Sequence, residues 1–137
     1  MYVEQSERLT AWQIEHLIAL SRRLDLAPGP GGSRITPAWD VEPEMQQILG
    51  ARRDEWRLSQ VVALYPSSQL VAHCDPPIIG KRFHIPLVVN EGCWAFHTGT
   101  WQQLEVGKVY QMDPTQEHGA VNWGTTIRTH LILDMLE

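Results

Sequence analysis

After Arg53 the chain is cut into short segments of Val, Ile, Leu and aromatic residues. Between them stand Pro-Ser-Ser, Pro-Pro, Asn-Glu-Gly, Thr-Gly, Val-Gly, Asp-Pro and Trp-Gly. Segments this short, closed this often by turn residues, read as strands rather than helices. They predict strands at residues 56–65, 70–75, 82–89, 93–97, 101–106, 108–112, 119–122 and 127–134. Many short strands joined by tight turns, with helical pattern only at the front, fit an antiparallel sandwich or barrel with helices packed outside it.

The front of the chain has a different texture. From residue 4 to about 26, Leu9, Trp12, Ile14, Leu17, Ile18, Leu20 and Leu24 fall mostly three or four apart, which predicts one amphipathic helix that "APGPGG" ends. In "EPEMQQILG", Pro43 near the start and Gly50 after the end predict a second, short helix. With 137 residues, one domain is expected: about 1–55 as helical support and about 56–137 as β core.

Composition removes several function classes. No apolar run approaches the ~20 residues of a membrane-spanning helix. The start, "MYVEQSERLT", lacks a basic segment followed by an apolar one, so a cytoplasmic protein is expected. In that setting Cys74 and Cys93 should be reduced thiols. A formal net charge of −5 and scattered Lys and Arg argue against binding nucleic acid.

The chemistry concentrates in "VAHCDPPIIGKRFHIPL". On a strand, His73 and Asp75 point to one side while Cys74 points away. Imidazole and carboxylate together suit a first-row divalent metal, and His118, 43 positions after Asp75, is the candidate third ligand. Two histidines and one carboxylate leave open positions, as in non-haem Fe(II) oxygenases. Alone, His-x-Asp also describes a solvated strand edge or a hydrogen-bonded turn.

Arg128, ten residues after His118 in "TTIRTHLILD", lies among alternating strand residues. A guanidinium buried there needs an anion, and its fork matches a carboxylate. A dicarboxylate could therefore chelate metal at one end and meet Arg128 at the other; a surface ion pair is the competing explanation.

His73-x-Asp75, "KRFHIPLVVN" and "LEVGKVYQMDPTQEHGAVNWGTTIRTHLILD" together resemble the aspartyl/asparaginyl β-hydroxylase family of Fe(II)- and 2-oxoglutarate-dependent oxygenases, over about residues 59–134. The resemblance implies a cupin-type double-stranded β-helix, or jelly roll, with His73, Asp75 and His118 as iron ligands. It also implies that Arg128 binds the distal carboxylate of 2-oxoglutarate, with Arg82 and His84 around the co-substrate. For His84 a hydrogen-bonded core role is an equal alternative. Some members lack the carboxylate ligand; this chain keeps Asp75, which places it nearer the branch acting on free amino acids.

The expected activity is thus hydroxylation of an amino acid, a peptide or an Asp/Asn-type side chain, using O2 and releasing succinate and CO2. The chain ends nine residues after Arg128, which favours a small molecule or short peptide as substrate. Two other readings are a metal- and 2-oxoacid-binding module without turnover, and a metal-cupin isomerase or hydrolase. No nucleophile-and-base triad stands out. Arg34, Arg52 and Arg53 could anchor a substrate acid but read as solvated charges. His16 and His97 are expected at the surface, and His130 beside Arg128 or in the core. The six tryptophans are expected mostly in the core, with Trp94 and Trp123 as candidate pocket walls. Edge strands make a homodimer plausible.

Overall fold

The computed structural model describes residues 1–24, 27–28, 33–36, 42–50, 56–77 and 80–135. In chain order these form β1 (Val3–Arg8), α1 (Ala11–Arg22), β2 (Ala27–Pro28), β3 (Ser33–Thr36), α2 (Glu42–Leu49), β4 (Trp56–Leu64) and β5 (Ser68–His73). There follow β6 (Lys81–Val88), β7 (Cys93–His97), β8 (Thr100–Gln102), β9 (Lys108–Met112), β10 (His118–Asn122) and β11 (Arg128–Met135). Every pairing is antiparallel. A large sheet has the order β1-β9-β6-β11-β4-β3-β2, and a small one the order β5-β10-β7-β8. This is the jelly roll expected, with the helices on the outer face of the large sheet. No helix among the described residues is long and apolar enough to cross a membrane.

Period-two alternation gives the two faces of the large sheet different tasks. Phe83, Ile85 and Leu87 of β6 and Leu131 and Leu133 of β11 join Leu17 and Leu20 of α1 and Met45 and Leu49 of α2 in the main core. The residues between them, His84, His130 and Ile132, point the other way, towards the small sheet, and line a cavity. Both faces of β6 are buried from Phe83 to Leu87, so this strand carries core and site at once.

The front of the chain departs from expectation. Val3–Arg8 is not the start of a helix but an edge strand, with Val3 opposite Gln111 and Glu4 opposite Tyr110. Its backbone completes the ladder of β9, and Lys108 Nζ lies 3.1 Å from Glu4 Oε1. The helix starts at Ala11 because Thr10 and Gln13 form a capping box: Gln13 N donates to Thr10 Oγ1 (3.1 Å) and Thr10 N to Gln13 Oε1 (2.8 Å). The second helix is as expected, ending at Gly50 with φ +71°. Residues 29–32 of "APGPGG" lie outside the described residues.

The tryptophans are also corrected. Trp12, Trp94, Trp101 and Trp123 are 39–60% exposed. Trp94 and Trp101 lie on strands of the small sheet, whereas α1 and α2, the helices among the described residues, pack on the large sheet. Cys74 and Cys93 are free thiols, the first exposed and the second buried.

Asn122, fully buried at the end of β10, ties the two sheets together. Its Nδ2 donates to the Leu64 carbonyl (2.8 Å) and the Thr126 carbonyl (2.9 Å), while its Oδ1 accepts from Asn90 Nδ2 (3.2 Å) and Gly124 N (3.1 Å). Replacing it by Ala strands buried polar groups, so Asn122→Ala should lose about 3 kcal/mol in chemical denaturation.

Candidate metal and co-substrate site

β5 and β10 bring the proposed ligands together. His73 and His118 are register partners, and their ring centroids are 4.4 Å apart. Asp75 stands two residues beyond the end of β5, where its backbone N–H donates to the Pro114 carbonyl at 2.8 Å. The close strand approach needs Gly119: a Cβ there would sit 2.6 Å from the Leu70 carbonyl oxygen. His73 Nε2 is 3.4 Å from one Asp75 oxygen and His118 Nε2 is 3.3 Å from the other.

The tautomers follow from the partners. His73 Nδ1–H donates to the Val71 carbonyl (2.7 Å) and His118 Nδ1–H to the Gln116 carbonyl (2.8 Å). In the neutral rings both Nε2 atoms are then bare acceptors turned on a carboxylate. Burial first, and the nearby His73 next among the lowering effects, hold His118 below the usual histidine range. Three acceptor atoms within 4.8 Å of one another are an arrangement that a cation satisfies. The backbone bonds to Nδ1 are the usual orientation of metal-ligating histidines. The donor set, two nitrogens and one oxygen, fits Fe(II).

Arg82 lines the cavity, but its fork is engaged. Nε and Nη2 donate to the two oxygens of Asp134 (2.9 and 3.1 Å), and Nη1 lies 3.7 Å from Asp75 Oδ2. Arg82 therefore stands beside the Asp75 carboxylate, within ion-pair distance of the oxygen that faces His118.

Arg128 is buried, and among the described residues no carboxylate pairs with it. Its Nη2 donates to His130 Nδ1 at 2.9 Å. A guanidinium only donates, so His130 Nδ1 is an acceptor, and His84 Nδ1, 3.2 Å away, must carry the proton of that contact. His84 Nε2 is left bare. Burial first, and the Arg128 charge second, push both imidazoles well below the usual range, so they are neutral at pH 7 and cannot balance Arg128. His84 is thus a hydrogen-bonded core residue, and it also lines the cavity.

The cavity holds about 230 Å³, with His73, Asp75, His118, Arg82, His84 and Arg128 all in its wall. That is below the ~300–1,000 Å³ of pockets for drug-sized ligands and suits a small acid. Sequence reasoning missed three groups here. Tyr2 lines the cavity from the residue before β1. Asp134 holds Arg82. His97, expected at the surface, is buried on β7 opposite His118; its alternation with Cys93 and Ala95 was the available signal. His97 Nε2–H donates to the Asp113 carbonyl (2.9 Å), and Nδ1 is enclosed without a partner. Trp94 and Trp123 do not line this cavity. His16 is exposed as expected. The side chains of Arg34, Arg52 and Arg53 lie outside the described residues.

Residues 29–137 match the sequence profile of aspartyl/asparaginyl β-hydroxylases. The chain belongs to the aspartyl/asparaginyl β-hydroxylase family. Membership makes it a 2-oxoglutarate-dependent dioxygenase of the hydroxylase type. No curated protein matches the chain by sequence. Several solved structures share this family's fold at low identity. An oxidoreductase of the 2OG-Fe(II) oxygenase family from Burkholderia pseudomallei is 16% identical, with a TM-score of 0.69 over 90% of this chain and 78% of that one. A prolyl-4-hydroxylase from Pseudomonas putida is 15% identical, with a TM-score of 0.67 over 99% and 92%. HygX from Streptomyces hygroscopicus, solved with nickel, 2-oxoglutarate and hygromycin B, is 13% identical, with a TM-score of 0.68 over 96% and 81%.

Proposed function

We propose that this hydroxylase binds Fe(II) through His73, Asp75 and His118 and 2-oxoglutarate through Arg128, and acts on an amino acid, a short peptide or an Asp/Asn-type side chain. One observation carries the co-substrate assignment: Arg128 is a buried cation whose partner among the described residues is a neutral imidazole. An uncompensated guanidinium in a cavity is costly until an anion arrives, and its fork matches the distal carboxylate of 2-oxoglutarate. The metal triad in the same cavity wall meets the oxo-acid end.

The iron with its co-substrate supplies the oxidation, in which O2 is consumed, 2-oxoglutarate becomes succinate and CO2, and one oxygen atom enters the substrate. The chain's own residues bind and orient. His73 and His118 are held in the metal-binding tautomer by backbone carbonyls. Arg82, braced by Asp134, fixes the Asp75 carboxylate. Arg128 sets the reach of the co-substrate, and Val62 and Ile132 keep the cavity wall apolar around it. An amino-acid or other small polar substrate accords with the prolyl-4-hydroxylase and the hygromycin-bound protein that share the fold.

Anaerobic titration of the protein with Fe(II) and 2-oxoglutarate should develop the weak visible charge-transfer band of the chelated pair. Admission of air with a panel of amino acids should then raise succinate above the uncoupled background for at least one of them. Full iron occupancy with no band would instead favour a metal-binding module without oxidative turnover.

A further inference from the structure

Tyr2 is the one cavity-lining residue that comes from the chain ahead of α1, and it lies outside the region matched to the family, residues 29–137. Its placement is built. Gln102 of β8 grips its backbone at two points: Tyr2 N donates to Gln102 Oε1 (2.7 Å), and Gln102 Nε2 donates to the Tyr2 carbonyl (3.0 Å). The ring stands edge-on to His84, with centroids 5.2 Å apart, and tilted against His97 at 5.6 Å. Ala95, Leu104, Tyr110 and Met112 pack with it in a small separate cluster.

Tyr2 is 3% exposed, and the hydrogen bonds it makes among the described residues run through its backbone N–H and carbonyl, not its hydroxyl. Among those residues the only fully enclosed side-chain N or O atom lacking a partner is His97 Nδ1. Tyr2 lines the same cavity wall as Arg128, His84 and His130. It lies close enough to Arg128 for the two to interact electrostatically, and burial, the larger effect, pushes the phenol up to about 12. It stays a neutral donor at any working pH.

A buried phenol O–H near a buried guanidinium that meets no carboxylate among the described residues makes a two-donor anion site, one charged and one neutral. We propose that Tyr2 is a co-substrate-binding residue whose hydroxyl donates to the same carboxylate that Arg128 receives, so that β1 completes the site from outside the family's motif region. The proposal rests on the functional reading given above. Arg128 supplies charge and a planar fork from the middle strand of the large sheet, and Tyr2 supplies a fixed donor from its edge, since β9 and β6 lie between β1 and β11. A carboxylate held by both is set in one orientation, which a lone arginine at the end of a flexible chain does less well.

The test uses Zn(II)-loaded protein, so that affinity is read without turnover. 2-Oxoglutarate is titrated by calorimetry into wild type and Tyr2→Phe, a change that keeps the ring and its packing. A hydrogen bond to a charged acceptor predicts 10- to 100-fold weaker binding in Tyr2→Phe, with Zn(II) affinity within about twofold of wild type. In wild type the titration should also perturb the near-ultraviolet tyrosine absorption, and that difference spectrum should vanish in the variant. Equal affinity in the two proteins, or a difference spectrum that survives the substitution, overturns the proposal and leaves Arg128 in place. Wild-type protein that takes up Zn(II) but not 2-oxoglutarate overturns the functional reading itself.

Discussion

Arg128→Met will lose 2-oxoglutarate and gain stability. Truncating one partner of a buried, hydrogen-bonded charge pair costs about 2–5 kcal/mol of binding, a factor of roughly 30 to several thousand. The charge-transfer band and succinate production should therefore disappear at co-substrate concentrations that saturate wild type, while metal content stays at the wild-type level. Without ligand the sign reverses. Arg128 is buried, and among the described residues its side chain donates only to His130 Nδ1; replacing such a charge by an apolar side chain of similar volume is neutral or stabilising by about 1–4 kcal/mol. His130 would not be orphaned, because His84 Nδ1–H still donates to it. An arginine kept for structure would behave the other way round, with stability lost and co-substrate affinity untouched. Thermal unfolding with and without 2-oxoglutarate separates the two, since a ligand at about 100 times its Kd should stabilise wild type by about 2.7 kcal/mol and leave the variant unmoved.

The strands of the β core were readable because alternation and turn chemistry agree there. Cys93–His97 and Lys108–Met112 fall on the predicted residues, and the others shift by a residue or two, apart from β8, which is shorter. β1 was not readable. "VEQSER" has one apolar residue and no buried one, and it is a strand because the edge of β9 supplies backbone partners; no apolar side-chain period records that. The true helix start was present as Thr10-x-x-Gln13, but the apolar spacing running through Leu9 concealed it.

The site shows the same division. His73, Asp75, His118 and Arg128 stand in a local pattern and could be named from it. Tyr2 and Asp134 could not, because what brings them to the site is pairing across strands: Asp134 faces Arg82 over the β6–β11 ladder, and Tyr2 arrives from 100 residues away by way of Gln102. The inward positions of the large sheet carry polar groups that a sandwich core would not tolerate unpaired. That excess of polarity on one face, against an unbroken apolar set on the other, is why a fold of this size can hold a stable core beside a reactive cavity.

Removal of the metal ligands has the second large effect, and its size should be graded by position. Asp75→Ala and His118→Ala each remove one of three ligand atoms, and anaerobic Fe(II) binding measured by elemental analysis after dialysis should fall by more than 100-fold, beyond the 10- to 100-fold typical of groups that only orient a ligand. Asp134→Asn belongs to that milder class. It weakens the hold on Arg82, whose Nη1 already lies 3.7 Å from Asp75 Oδ2, and a freed guanidinium would compete with the metal for the carboxylate. The expected order of iron loss is therefore His118→Ala and Asp75→Ala well ahead of Asp134→Asn, with wild type fully loaded. Iron at full occupancy in both ligand variants would remove the triad assignment. Equal loss in all three would mean that Asp134 acts through the fold, because a positioning group two contacts away from the ion should never match a ligand.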